Sequence, residues 1–190
     1  LNLDYKKMKY NFFDKLLHYQ FLGNTNLSEF LFNRLIEKSK SSLIDNHYFE
    51  HIFITGLARS GTTALLNNLY ELDEFSSFIY KNMPFILSPT LANFSFLDRV
   101  NKENYIKTKR LHNDGLFISL NSPECLDEPF WIKAIPSYSN KKFSVPKKIN
   151  TKFLEGYAYL ISKYCQNQKK ERAVIKNNNN HLRLDFLSKY

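Results

Sequence analysis

One stretch, Ile52-Phe53-Ile54-Thr55-Gly56-Leu57-Ala58-Arg59-Ser60-Gly61-Thr62-Thr63, constrains this chain more than any other part of it. His51 to Thr55 is a run of β-formers with no helical stripe, and it meets glycine at once. From Thr63 to Leu72 the apolar residues Ala64, Leu65, Leu66 and Leu69 return at helical spacing. A strand that enters a glycine loop and leaves it as a helix aims the free N–H groups of the helix start at the end of the strand. Gly56 and Gly61 permit the tight turn and the close approach of an anion to those amides. Ser60, Thr62 and Thr63 add hydroxyl donors, and Arg59 adds a bidentate cationic fork. The segment predicts a phosphate-type anion site.

The nucleotide P-loop, GxxxxGK[ST], has the same glycine spacing, and Thr63 stands where its magnesium-binding hydroxyl would be. Thr62 replaces the lysine that reaches the β and γ phosphates, which argues against an ordinary ATPase or GTPase. The positive charge sits inside the loop instead, on Arg59. Such a loop suits a phosphate or phosphosulfate and creates no evident need for magnesium. Cys125 and Cys165 match no CxxC or Cys/His pattern, so no metal is expected. Two cysteines fit a reducing compartment, and a cytoplasmic location is the corresponding expectation.

Around this loop, periodicity predicts helices at Tyr5–Phe21 and from Asn26, where Asn26 and Glu29 form a reciprocal cap over a face of Phe30, Leu31, Leu35 and Ile36. Strands are expected at Phe75–Tyr80, Leu116–Leu120 and Ala173–Lys176. Ser122 reads as the N-cap, and Pro123 as the first residue, of a helix running toward Ile135. A further helix, Thr151–Cys165, carries the stripe Phe153, Tyr157, Leu160, Ile161 and Tyr164. A turn at Asn177–Asn180 precedes a last helix from His181. The alternation predicts an α/β fold, a P-loop-like three-layer sandwich with a parallel sheet. Residues 1–46 form an N-terminal helical segment and residues 47–190 the α/β domain. The sheet is thin, and an intact domain would be expected to continue it beyond Tyr190.

The chain has 190 residues, with 27 basic against 18 acidic side chains and a formal net charge of +9. That balance favours anionic partners, although lysine and asparagine are common together throughout and the charge by itself selects none. The basic residues are scattered, with Lys107–Arg110 as a local cluster, so nucleic acid is not expected as a partner. No run of 18 apolar residues predicts a membrane span. Leu1–Gln20 has no apolar core of a signal peptide. The opening leucine leads to the expectation of a fragment, and the missing strand to that of a C-terminal truncation.

Ile52–Leu66 resembles the 5′-phosphosulfate-binding loop of the sulfotransferases that use 3′-phosphoadenosine-5′-phosphosulfate (PAPS). Tyr80-Lys-Asn-Met-Pro-Phe85, His112-Asn-Asp-Gly115, Ser122-Pro-Glu-Cys-Leu-Asp-Glu-Pro-Phe-Trp131 and Lys176-Asn-Asn-Asn-Asn-His-Leu-Arg183 resemble further segments of the bacterial-type sulfotransferase domain, in order. The likeness spans Phe49 to Tyr190. It implies that Gly56, Arg59, Ser60, Gly61, Thr62 and Thr63 surround the sulfonate-bearing phosphate. His181 and Arg183, at the start of a helix after a strand, are expected at the cofactor, and Lys176 with the asparagines beside it near adenosine or its ribose. The arginine and serine that bind the 3′-phosphate in the family would lie after Tyr190.

The implied reaction moves a sulfuryl group from PAPS to a hydroxyl or amine acceptor, carbohydrate among the classes. Arg59 would stabilise the leaving phosphate. The base is harder to place, because Asn82 stands where related sequences often carry Asp. His112, beside Asn113 and Asp114, is the remaining titratable candidate. A P-loop kinase or NTPase is the alternative enzyme, and a non-catalytic nucleotide-binding fragment of a sulfotransferase the alternative of another class. Oligomeric state and acceptor stay open at the level of sequence.

Overall fold

The computed structural model describes residues 12–23, 26–41, 50–93, 108–109, 117–135 and 150–188. The expected helix start at Tyr5, His112, and the loop Pro136–Lys148 lie outside the described residues. Two helices, α1 (Phe12–Leu22) and α2 (Asn26–Ser41), precede β1 (Ile52–Ile54), α3 (Thr62–Glu71) and β2 (Phe75–Ser76). A 3₁₀ turn (Tyr80–Asn82), α4 (Pro89–Asn93), β3 (Thr108–Lys109), β4 (Phe117–Ile118) and α5 (Glu128–Ala134) follow. The chain then forms α6 (Thr151–Gln168), β5 (Arg172–Lys176), a second 3₁₀ turn (Asn178–Leu182) and α7 (Leu184–Leu187). The architecture is mixed α/β, with a small parallel three-stranded sheet and seven helices among the described residues.

The sheet order is β1-β5-β2, and both pairings are parallel, with Ile54 opposite Lys176 and Phe75 opposite Arg172. β5 is the central strand, and its alternation divides the core. Val174 packs with Ile54, Leu66 and Phe75, toward α3. Ala173 and Ile175 join the larger cluster built from α2, α5 and α6, which includes Phe32, Phe130, Trp131, Tyr157 and Leu160. A strand apolar on both sides is what a covered parallel sheet demands. β3 and β4 form a separate antiparallel pair.

α6 anchors this arrangement. Asn150 accepts the Lys152 amide at 3.1 Å as its cap. At the other end Lys169 adopts φ 55°, and the Lys170 amide reaches back to the Cys165 carbonyl at 2.9 Å. Of the expected stripe, Tyr157, Leu160, Ile161 and Tyr164 are buried and Phe153 packs at its margin.

Four expectations need correction. The buried face of α2 is Leu31, Phe32, Leu35, Ile36 and Ser39, which turns Phe30 out to solvent. The expected start of α2 at Asn26 holds, and the Ser28 hydroxyl donates to the Gly23 carbonyl. The strand at Phe75 stops at Ser76, because Asn82 Oδ1 takes the Ile79 amide at 2.9 Å and draws the chain into the 3₁₀ turn. Ser122 and Pro123 do not open a helix. Pro123 bridges Ile79, and the Glu124 amide donates to the Phe78 carbonyl at 3.1 Å, so this segment is extended. The helix starts at Glu128, with Pro129 as its first-turn proline. Likewise His181 lies in the second 3₁₀ turn, and the last helix begins at Leu184.

Gly156 lets α6 approach α2, since a Cβ there would stand 2.2 Å from Ile36 Cδ1. Gly156→Ala is expected to destabilise, because overpacking of about 1–3 kcal/mol exceeds the gain of about 1 kcal/mol from alanine in a helix. Ile36→Val removes that Cδ1, so the double variant should unfold at higher denaturant than Gly156→Ala alone. Below the sheet, His51 Nδ1 accepts the Ala173 amide at 3.2 Å, which requires the neutral ring. Burial and then the nearby Arg172 charge lower its pKa from 6.5. A lowered folded pKa means stability that is complete above about pH 6.5 and falls with pH below that value. Denaturation at stepped pH should show this loss, and His51→Asn, which keeps an acceptor, should lack that component.

Candidate functional site

The loop of residues 55–61 leaves the C-terminal end of β1 and turns into α3. Its path requires a left-handed backbone twice, at Arg59 (φ 67°) and Gly61 (φ 83°), with Ser60 between them outside that region. Alternating handedness turns successive N–H groups toward one side, which makes an anion-binding concavity. The first turn of α3 lies beside it. Its first helical bond is Leu65 N–H to Gly61 C=O at 3.0 Å, so the amides of Thr62, Thr63 and Ala64 have no acceptor within the helix. Arg59, Ser60 and Gly61 are exposed, Thr62 is half-buried and Thr63 buried. The Ser60 hydroxyl donates to Leu57 O at 2.7 Å and steadies the turn.

Gly56 has a different task. A Cβ at that position would sit 2.8 Å from Ser60 Oγ and 3.0 Å from Thr62 Cγ2, so the absence of a side chain is what allows the loop to fold over itself. A Cβ at Gly61 would meet nothing within 4 Å. The requirement there is one of φ alone.

The sheet register brings the Asn178–Leu182 turn against the base of this loop. Asn177 N–H donates to Ile54 O at 3.1 Å, continuing the β1–β5 ladder by one residue. Thr55 Oγ1 then donates to Asn178 O at 3.3 Å and accepts the His181 amide at 3.0 Å. His181 is exposed, and its Nδ1 lies 2.7 Å from Asn178 O. A carbonyl can only accept, so Nδ1 carries the proton and the neutral ring keeps its lone pair on Nε2. Of the three residues expected at the cofactor outside the loop, His181 is the one that reaches the surface beside Thr55.

Lys176 and Arg183 are placed differently. Lys176 Nζ is buried and lies 2.9 Å from Glu124 Oε1. Arg183 is 1% exposed, stacks its guanidinium 4.6 Å from the Trp131 ring centre, and pairs with Glu128 at 3.1 Å. Glu124 is therefore a buried counter-ion and not a first-turn helix acid. Trp131 is core. Asn82 is buried, with its oxygen committed to Ile79 N–H.

Sequence reasoning missed the carboxylates beneath the turn. Asp127 is fully buried and accepts from Tyr157 OH at 2.6 Å, Trp131 Nε1 at 2.8 Å and Asn177 Nδ2 at 2.8 Å. Burial, and then the Asp127 charge, raise the Tyr157 pKa well above its usual value, so it remains a donor. Glu128 accepts from Asn177 Nδ2 at 2.7 Å, Asn179 Nδ2 at 3.1 Å and Arg183 Nη2. The available signal was three acids, at 124, 127 and 128, in an otherwise apolar segment. Burial pushes the neighbouring Cys125 thiol up to about 12 and the Cys165 thiol to about 11, so neither is a thiolate at neutral pH. Among the described residues no group of three or more His, Cys, Asp or Glu side chains could hold a metal ion, and no helix is long and apolar enough to cross a membrane.

Comparisons with protein-family models, with curated proteins and with solved structures found no match.

Because the constraint at Gly61 is conformational, Gly61→Ala is expected to cost about 1–2 kcal/mol, and Gly61→Asn less, since asparagine tolerates the left-handed region. Urea unfolding of the three proteins checks the order.

Proposed function

We propose that the chain binds PAPS through residues 55–63 and is the donor-binding part of a sulfotransferase that transfers the sulfuryl group to a hydroxyl or amine. The observation that carries this reading is the left-handed pair Arg59 and Gly61, which forms an exposed, arginine-bearing concavity at a helix start. The close packing at Gly56, where a Cβ would stand 2.8 Å from Ser60 Oγ, fits a loop folded closely enough for backbone amides to converge on one anionic group. The two apolar clusters on alternate residues of β5 support the finer reading of a P-loop-like three-layer sandwich.

In this reading the acceptor oxygen or nitrogen attacks sulfur, and the bond from sulfur to the bridging oxygen of the phosphosulfate breaks. The electron pair stays with the departing 5′-phosphate of 3′-phosphoadenosine-5′-phosphate (PAP). The amides of Thr62 and Thr63, the Thr62 hydroxyl and Arg59 hold that growing charge, while the Ser60 hydroxyl is committed to Leu57 O. The acceptor proton passes to a base. His181, with Nε2 as acceptor and its backbone tied to Thr55, fills that role among the described residues. Lys176 and Arg183 act from beneath, by holding the turn, and not as direct contacts.

The kinase reading has less support. It needs a lysine at position 62, where threonine stands, and β2 and β5 end in Ser76 and Lys176 and not in a magnesium-binding acid.

Calorimetric titration with PAP tests the proposal. The wild-type chain should bind saturably, and Arg59→Ala, which retains a Cβ and hence the same backbone cost, should bind at least about tenfold more weakly, as expected for loss of a charge-assisted contact of about 1.5–3 kcal/mol. Equal affinity of the two proteins, or no binding by folded wild type, would overturn it.

A further inference from the structure

No described hydrogen bond joins the Glu128 carboxylate to the 55–63 loop or to His181, yet every described hydrogen bond from α5 to the 177–183 turn ends on it, and the residue before it, Asp127, takes one more from Asn177. The other described contact is the stacking of Arg183 on Trp131. Four contacts between 2.7 and 3.2 Å reach Glu128 from Asn177, Asn179 and Arg183, which are the start, the middle and the end of that turn. The residues between them, Asn178 and His181, are the two whose backbone groups bond Thr55 Oγ1. Asn177 also carries the Asn179 amide on its own Oδ1 at 2.9 Å, so its side chain is held on both sides. A carboxylate supplies two acceptor oxygens and no donor, which is what three converging N–H donors require. Asp127 differs: two of its three donors, Trp131 and Tyr157, belong to the core helices.

We propose that Glu128 is a positioning residue for the anion loop, acting through the 177–183 turn to fix Thr55 and His181. The proposal rests on the anion-binding reading of residues 55–63, because it is that loop whose base is being held. Charge balance alone would make Glu128 simply the counter-ion of Arg183. The two roles separate in a background where the guanidinium is removed. In Arg183→Met the counter-ion role disappears, while the Asn177 and Asn179 contacts remain for Glu128 to make.

The experiment compares wild type, Arg183→Met and Glu128→Gln/Arg183→Met by amide hydrogen exchange, thermal unfolding and PAP titration. Glutamine preserves size but replaces one of the two acceptor oxygens by NH₂, so either Asn177, bonded to Oε2, or Asn179, bonded to Oε1, loses its acceptor. The expected result is that the double variant exchanges the His181 amide at least about tenfold faster than Arg183→Met, while the helical Leu65 amide and the melting temperature stay alike. PAP should bind the double variant about tenfold more weakly than the single, an effect that a purely structural role would not produce at equal stability. Unchanged His181 exchange would overturn the proposal and leave Glu128 as a counter-ion. Faster exchange with unchanged PAP affinity would overturn it as well. If wild type itself binds no PAP, the sulfotransferase reading falls. Faster His181 exchange would then still support Glu128 as the residue that fixes the turn.

Discussion

The buried charges under the C-terminal end of β5 are the constraint to which the rest of the structure answers. Two buried carboxylates, Glu124 and Asp127, and the partly exposed Glu128 meet two buried cations, Lys176 and Arg183, beside an interior otherwise built of Phe, Tyr, Trp and Leu. Removing an ion from water costs several kcal/mol even after relaxation, so each group must find partners or change its protonation. Lys176 and Arg183 answer Glu124 and Glu128. Among the described residues Asp127 pairs with no cation and is met by three neutral donors, from Tyr157, Trp131 and Asn177. Those donors come from α6, α5 and the turn after β5, so satisfying one carboxylate fixes three elements at once.

Parallel strands carry the consequence to the surface. The ends of β1 and β5 are neighbours in register, so the segment after each strand emerges on the same edge of the sheet. Thr55 begins one of these segments and Asn177 the other, and their side chains face opposite tasks. Thr55 bonds sideways to the turn, and Asn177 bonds downward to Asp127 and Glu128. Loops gathered at the carboxyl ends of parallel strands are where open α/β sheets place their ligand sites.

The parts of this arrangement that sequence could disclose are those written in local patterns. The strand–glycine–helix order at Ile52–Glu71 needed only a change of period and two glycines. The long α6 announced itself through Tyr157, Leu160, Ile161 and Tyr164. What stayed hidden depended on partners distant along the chain. Ser122-Pro123-Glu124 has every local mark of a helix start, but the extended pairing with Phe78–Tyr80 overrides it. Lys176 and Arg183 look like ligand-facing cations beside a glycine loop. They are internal because Glu124 and Glu128, about fifty residues earlier, come to meet them. Four asparagines in a row read as a solvated turn, yet Asn177 and Asn180 are buried, and Asn177 is the junction between two carboxylates. No periodicity encodes such a meeting.

Left-handed backbone at Arg59 concerns a different economy. An L-residue other than glycine pays roughly 1 kcal/mol or more to adopt it, and glycine at that position would avoid the cost. Glycine would also remove the one cation carried within the loop. Gly61, two residues later, carries no such conflict, and there the backbone requirement is met without strain. The chain thus holds a glycine where only conformation matters and a strained arginine where charge and conformation must coincide. The net charge of +9 draws anions toward the whole surface, but it is diffuse and screened within about 10 Å at ordinary salt. Discrimination has to come from groups whose direction is fixed. In the proposed reading those groups are the amides at the start of α3, with Arg59 carried beside them on a loop whose path two left-handed residues set.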